Sequence, residues 1–147
     1  MHYTRIPLVL TFAATLLSNA ALAGGGEDCA NADVLAAGAQ VEIFDTSAAL
    51  DEGVYVSCGI GGMTDVWYEW TPDMNGQWDF STCNAASYDT RLALWDACAG
   101  GELGCNDDAT NCTGFSSNLS VFGLNAGTSY FLQVGGYNGA SGTGTLD

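Results

Sequence analysis

The chain has no lysine, and its basic residues amount to two arginines and one histidine in 147 positions. His2 and Arg5 lie near the start, so Arg91 is the only basic side chain from residue 24 onward. Ser-His-Asp and Cys-His nucleophile systems and lysine Schiff bases therefore have no base or amine there. The Gly135-Gly136 stretch likewise lacks the lysine of a phosphate-binding loop. These absences predict a protein that is not an enzyme.

Carboxylate pairs are the catalytic groups that remain, since they alone can hydrolyse glycosides. Glu69 and Asp79, which alternation places on two neighbouring strands, form the one pair that the sequence suggests. Ordinary solvated strand faces explain both residues better.

Acidic residues dominate the charge. All seventeen Asp and Glu lie after residue 23, and with one arginine they give residues 24–147 a net charge of −16. Such a surface repels phosphate and anionic lipid, which excludes nucleic acid as a partner and favours cations. The alternative is that the acidity only keeps the protein solvated.

The first 23 residues resemble a secretory signal peptide. Arg5 precedes an apolar run at 6–17, and Ala21-Leu22-Ala23 forms a cleavage site. The run is too short to span a bilayer, so we expect a secreted, extracellular protein without membrane insertion. Residues 24–28 are then a flexible leader, and residues 29–147 form one domain.

Short stretches of alternating apolar and polar residues fill that domain. Residues 66–71 and 77–81 alternate on both sides of Asn75-Gly76, which predicts two paired antiparallel strands. Similar patterns recur at 92–94, 119–122 and 130–134. About eight short strands with glycine-rich connections predict an all-β fold, a two-layered antiparallel β-sandwich.

The stretch from Ser87 to Cys112 predicts a β-hairpin with an acidic end. A strand at 89–96 extends for about 23 Å at roughly 3.3 Å per residue, and a return strand at 102–108 covers nearly the same distance. Carboxylates distant in sequence therefore meet. Oxygen-rich clusters of this kind suit calcium, and the predicted ligands are Asp89, Asn106, Asp107 and Asp108. Turn capping by the same side chains is the alternative.

Six cysteines in a secreted chain predict three disulfides, for which fifteen pairings exist. The hairpin favours Cys98 with Cys105 and Cys83 with Cys112, which leaves Cys29 with Cys58.

The alternation places two tryptophans, Trp67 and Trp95, on strand faces that point away from the expected core. Both are candidates for stacking on carbohydrate. Coverage by loops or neighbouring strands is the alternative.

Three motifs carry a family resemblance: YDTRLALWD at 88–96, GELGCNDD at 101–108 and the closing run at 126–146. With DCANA near residue 30 and the DVWYEW strand, they resemble the bacterial pre-peptidase C-terminal domain family, in its secreted, cysteine-containing form. The resemblance implies a jelly-roll-like sandwich without catalytic activity, usually appended to secreted enzymes or surface proteins, and sometimes folding with calcium. No catalytic domain accompanies it in this sequence.

Together these features predict a secreted, non-catalytic accessory or binding module, stabilised by calcium, with an extracellular polymer or protein as ligand. The alternative is a carbohydrate-binding module that stacks polysaccharide on its outward aromatic side chains.

Overall fold

The computed structural model describes residues 24–147, and the predicted signal peptide lies outside them. Two 3₁₀ turns are present, at Cys29–Asn31 and Tyr137–Gly139. No helix in this part of the chain is long and apolar enough to cross a membrane. The nine strands are β1 (Asp33–Val34), β2 (Glu42–Asp45), β3 (Asp65–Trp70), β4 (Gly76–Ser81), β5 (Thr90–Trp95), β6 (Glu102–Asn106), β7 (Asn118–Leu124), β8 (Tyr130–Gly136) and β9 (Thr143–Leu146).

The strands form two layers. One is a five-stranded sheet in the order β1-β3-β8-β5-β6, and the other contains the pairs β2-β9 and β4-β7. Ser81 and Asp147 exchange two backbone hydrogen bonds of 2.9 Å, which join β4 to the end of β9. The second layer therefore runs β2-β9-β4-β7. All ladders are antiparallel except that of the short β1 with β3.

The strand pairing is that of a jelly roll. β2 pairs with β9, β3 with β8, β4 with β7 and β5 with β6, so one long antiparallel ribbon is rolled up into two layers. This confirms the predicted all-β, jelly-roll-like antiparallel sandwich of about eight strands. The two-residue β1 is the additional ninth strand.

The main core lies between the layers, because alternate residues of each strand point inward. Burying each large apolar side chain there contributes about 1.5–3 kcal/mol before entropy is counted. The core side chains are Phe44, Val66, Tyr68, Trp70, Phe80, Leu92, Leu94, Leu119, Val121, Leu124, Tyr130, Leu132, Val134 and Leu146.

The hairpin predicted across Asn75-Gly76 is wrong, since β3 and β4 lie in different layers and do not pair. Five residues, including Pro72, separate the two strands, which is longer than the two-residue turn that Asn-Gly favours. The Asn75 side chain instead accepts a hydrogen bond from the Ala126 amide at 2.7 Å. Glu69 and Asp79 consequently lie on strands of different layers.

Residues 24–28, expected to be a flexible leader, make backbone hydrogen bonds to two strands. The Gly24 amide donates to the Ile43 carbonyl at 2.8 Å, and Gly26 and Trp67 exchange two bonds of 2.9 and 2.8 Å. This segment thereby extends the backbone pairing at the edges of β2 and β3.

All six cysteines form disulfides, which pair Cys29 with Cys98, Cys58 with Cys105, and Cys83 with Cys112. The predicted Cys83–Cys112 bond is confirmed. The other two predicted pairs are wrong because the hairpin register places Cys105 opposite Ala93, five residues before Cys98. Cys98 lies in the turn and bonds to Cys29, far away in sequence.

A loop covers the outer face of the five-stranded sheet. We call residues 46–64, which connect β2 to β3, the cover loop. Its Val56 and Met63 form a second apolar cluster with Ala93 of β5, and Trp95 packs against that cluster. Cys58 bonds the loop to β6 through Cys105. The five-stranded sheet is therefore buried on both faces where the loop crosses it.

Candidate functional site

The β5-β6 hairpin brings the predicted acidic residues together. Its register pairs Leu92 with Asn106, so the residue before β5 lies near those that follow β6. These residues are Asp89 before β5, and Asp107 and Asp108 after β6. One carboxylate oxygen from each lies within 4.8 Å of those of the other two. The hairpin therefore produces the three-carboxylate cluster that the sequence predicted.

The three carboxylates line an open cleft of about 400 Å³, which we call the acidic cleft. The other lining residues come from three separate segments: Gly59 and Ile60 of the cover loop, Phe115, and Tyr137. A methyl group at Gly59 would lie only 2.6 Å from Asp107 Oδ2, and the glycine has a φ of +74°. Glycine thus allows the cover loop to approach the carboxylate closely.

Two oxygens of the cluster are buried without a hydrogen-bond partner: Oδ1 of Asp89 and Oδ1 of Asp107. Burial raises the pKa of Asp89, and the charges of Asp107 and Asp108 raise it further. Burial also raises the pKa of Asp107, against the lowering effect of the Arg91 charge. Turn capping does not occupy these two oxygens, and carboxylate oxygens of this kind are ligands that a hard cation prefers.

Asn106, the fourth predicted ligand, uses its side-chain oxygen elsewhere. Its Oδ1 accepts a hydrogen bond from the Asn118 amide at 2.9 Å, which fixes the start of β7 beside the end of β6. The structure therefore groups three of the four predicted ligands and gives the Asn106 side chain a structural contact.

A buried hydroxyl cluster holds the backbone next to the acidic residues. The Ser117 hydroxyl lies 2.5 Å from the Thr90 carbonyl and 3.1 Å from that of Asn106, and it also contacts the Asp107 carbonyl. The Ser117 amide is 3.0 and 3.1 Å from the hydroxyl oxygens of Thr82 and Thr90, which lie 2.6 Å apart. These bonds hold the backbone on both sides of the cluster.

Arg91, the one basic side chain of the described residues, directs its guanidinium to carbonyl oxygens. The group is buried and donates to Gly62 at 2.9 Å, Gly136 at 3.0 Å and Cys58 at 3.5 Å. Its Cζ lies 5.5 Å from the centre of the Tyr137 ring, at the edge of the acidic cleft. Arg91 therefore fastens the cover loop to the sheet.

The two candidate stacking residues lie on the outer face of the five-stranded sheet, where Trp95 packs against the cluster formed by the cover loop. Trp67 is 1% exposed, so it cannot stack on a ligand in this conformation. Trp95 is half-buried, and its Nε1 donates to Gln133 Oε1 at 3.0 Å. The two rings lie 6.2 Å apart. Coverage by loops or neighbouring strands was the alternative for both residues; Trp67 is fully covered, and Trp95 is partly covered by the cover loop.

The sequence did not point to the apolar rim of the cleft. Phe115 is 66% exposed and has a φ of +59°, while Ile60 is largely exposed and Tyr137 is half-buried. The one available signal was a phenylalanine isolated among polar residues at 113–117. Proximity of these side chains to the carboxylates depends on tertiary structure alone.

A family model described as galactose binding domain-like, and labelled as T9SS-associated, matches residues 26–146. The match spans the whole sandwich, including both sides of the acidic cleft. No curated protein and no solved structure matches the chain.

Proposed function

Because the chain belongs to the T9SS-associated galactose binding domain-like family, we propose that it is a secreted, non-catalytic binding module with a calcium ion in its acidic cleft. The family supports a binding or accessory role, with a carbohydrate or protein as ligand. Three disulfides and the signal-like residues 1–23 support an extracellular location. The finer resemblance, to pre-peptidase C-terminal domains, stays a prediction.

One observation carries the calcium proposal: two carboxylate oxygens of a three-carboxylate cluster are buried without partners. Asp89, Asp107 and Asp108 would hold the ion, and carbonyl oxygens or water would supply the remaining ligands that calcium takes. The ion would neutralise like charges that now raise the pKa of Asp89 and of Asp107. Its role would be to lock the two ends of the β5-β6 hairpin together.

Titration calorimetry of calcium into chelator-treated protein tests this proposal, with the melting temperature as a second readout. We expect binding heat and a higher melting temperature, because a ligand that binds only the folded state stabilises it. Asp89→Asn should weaken binding by at least about tenfold, since changing even an outer-shell partner of a metal can cost that much. Asp73→Asn, at an exposed position outside the cleft, is the matched control. Absence of both heat and stabilisation in the unaltered protein would reject the site.

Carbohydrate binding is the second candidate, and the observation that favours it is the exposed Phe115 beside the acidic cleft. Aromatic faces bind ligands by stacking, and Phe115 is accessible whereas Trp67 is covered. Binding to insoluble polysaccharides, measured by sedimentation, should decrease in Phe115→Ala and persist in Phe122→Ala, an equally exposed position on β7 outside the cleft. Equal binding by both variants would contradict a carbohydrate site at Phe115.

A further inference from the structure

Asp65 is a buried acid that the acidic cleft does not use. It begins β3 on the outer face of the five-stranded sheet, beneath the cover loop, and is 1% exposed. Its Oδ2 accepts a hydrogen bond of 2.8 Å from Nε2 of Gln133, which is also fully buried. The same Nε2 lies 3.4 Å from the Val54 carbonyl of the cover loop. The side-chain amide of Gln133 therefore bridges Asp65 and the cover loop.

The charged groups around Asp65 offer no compensating cation. Asp51 and Glu52 of the cover loop carry negative charges, which raise the pKa of Asp65. Tyr88, just before β5, is partly buried, and burial raises its pKa to about 12, so it carries no charge near pH 7. Glu27, in the segment beside β3, accepts a hydrogen bond of 2.5 Å from the Leu50 amide and so contacts the cover loop.

Arg91 lies in the same cross-strand row as Asp65, with Gly135 between them. Its guanidinium bonds to the carbonyls of Gly62, Gly136 and Cys58. A carboxylate at position 65 would therefore be buried without an ion pair, beneath a loop that brings two more negative charges. Burying a charge in this way is costly unless the group becomes neutral or the cover moves.

We propose that residues 50–56 of the cover loop are a pH-sensitive lid, closed over the sheet while Asp65 is protonated and lifted when Asp65 ionises. The part of the loop that follows stays in place, because the Ser57 hydrogen bonds to Glu102, the Cys58–Cys105 disulfide and the Arg91 hydrogen bonds to Cys58 and Gly62 hold it. Lifting the lid uncovers Gln133, which contacts the Val54 carbonyl, and Trp95, which packs against the cluster that contains Val56.

The direction follows from the cost of charging Asp65. Burial raises its pKa to about 7, and the charges of Asp51 and Glu52 add to the effect, while the Gln133 hydrogen bond opposes it. Below about pH 4, the ordinary range of an Asp carboxyl, Asp65 is protonated in both states and the closed lid has its full stability. Between about pH 4 and about pH 7 the acid would ionise only in a state in which it meets water, so the closed state loses stability over this range, and the loss is complete once the pH has passed about 7. This inference does not depend on a cation in the acidic cleft.

Opening of the lid is measured by hydrogen exchange of the amides at 50–56 and by acrylamide quenching of tryptophan fluorescence, from about pH 4 to about pH 9 in the presence of a chelator. Exchange rates are first corrected for the intrinsic effect of pH. We expect protection at 50–56 to fall and quenching to rise with a midpoint between about pH 4 and about pH 7. Residues 58–62 should stay protected throughout, since the disulfide and Arg91 retain them.

Asp65→Asn keeps the side chain neutral and should abolish the transition, with the lid closed at every pH. Asp73→Asn, an exposed control, should leave the midpoint unchanged. Asp51→Asn combined with Glu52→Gln removes two charges that raise the Asp65 pKa, so its midpoint should move to lower pH. The proposal is overturned if the unaltered protein shows no transition, or if Asp65→Asn retains it. If Asp65→Asn does not fold, an unshifted midpoint in the double variant overturns the proposal equally.

Discussion

At the scale of single residues, the Ser117 hydroxyl joins the backbone at the start of β5 to the backbone at the end of β6, beside the acidic cleft. It is fully buried and contacts the carbonyl oxygens of Thr90, Asn106 and Asp107. We predict that Ser117→Ala lowers the free energy of unfolding by about 1–3 kcal/mol, the cost of leaving buried polar groups unsatisfied. Urea unfolding followed by circular dichroism measures the change.

Ser141→Ala is the control for that measurement, because Ser141 is exposed. Its unfolding free energy should stay within about 0.5 kcal/mol of the starting protein. Equal stability of the two variants would mean that water replaces the Ser117 hydroxyl without cost.

Residue faces were predictable from the sequence, whereas residue surroundings were not. Alternation correctly placed Trp67 on the face opposite the main core, but the burial of this face depends on segments that cross it from elsewhere in the chain. Likewise, the positions of Asp89 and Asp107 could be predicted from the ends of the two hairpin strands. The side chain of Asn106 instead accepts a hydrogen bond from the Asn118 amide, and Asn118 belongs to β7, which is outside the hairpin.

At the scale of elements, the β5-β6 hairpin shows how far a local argument extends. Strand length and turn position were enough to place Asp89 near Asp108, because register propagates along a hairpin. The same register excludes a Cys98–Cys105 bond, since Cys105 lies opposite Ala93. The actual partner, Cys29, is 69 residues from Cys98, and no hairpin geometry could identify it.

The packing of the cover loop against β8 provides the prediction at this scale. A Cβ at Gly135 would lie 2.8 Å from the Thr64 carbonyl oxygen and 2.9 Å from Asp65 Cβ, and would also overlap Met63. Backbone cannot move aside as a flexible side chain does. Gly135→Ala should therefore lower the unfolding free energy by about 1–3 kcal/mol through overpacking, as measured by urea unfolding.

Gly101 offers the matched control, because its φ lies outside the left-handed region and its nearest neighbour would be 3.6 Å from an added Cβ. Gly101→Ala should leave stability unchanged or raise it by up to about 1 kcal/mol, since alanine restricts the unfolded chain. A Gly135→Ala variant as stable as Gly101→Ala would show that the end of the cover loop can yield.

At the scale of the whole molecule, the class of fold was predictable and the strand partners were not. Period-two alternation and glycine-rich connections predicted about eight strands in two layers. In a jelly roll, however, every ladder of the rolled ribbon except β5-β6 joins strands distant in sequence. Asn75-Gly76 favoured a local hairpin, yet β4 pairs with β7 because alternate residues of both strands complete the core between the layers.

Charge is the other whole-molecule property, and it predicts an unusual response to salt. Residues 24–147 carry seventeen carboxylates and one arginine, and that arginine is buried against carbonyl oxygens. In most proteins salt weakens favourable surface ion pairs as well as repulsion. In this part of the chain there is no lysine to form such pairs, so screening chiefly relieves repulsion.

The melting temperature should therefore rise by several degrees as NaCl increases from about 0.01 M to about 0.5 M, over which the screening length falls from about 30 Å to a few ångströms. A chelator keeps any cation in the acidic cleft from contributing. The control is the same titration near pH 3, where most carboxylates are protonated and the salt dependence should largely disappear. A melting temperature that is constant or falls with NaCl at pH 7 would contradict the argument, because repulsion among the carboxylates would then not limit stability.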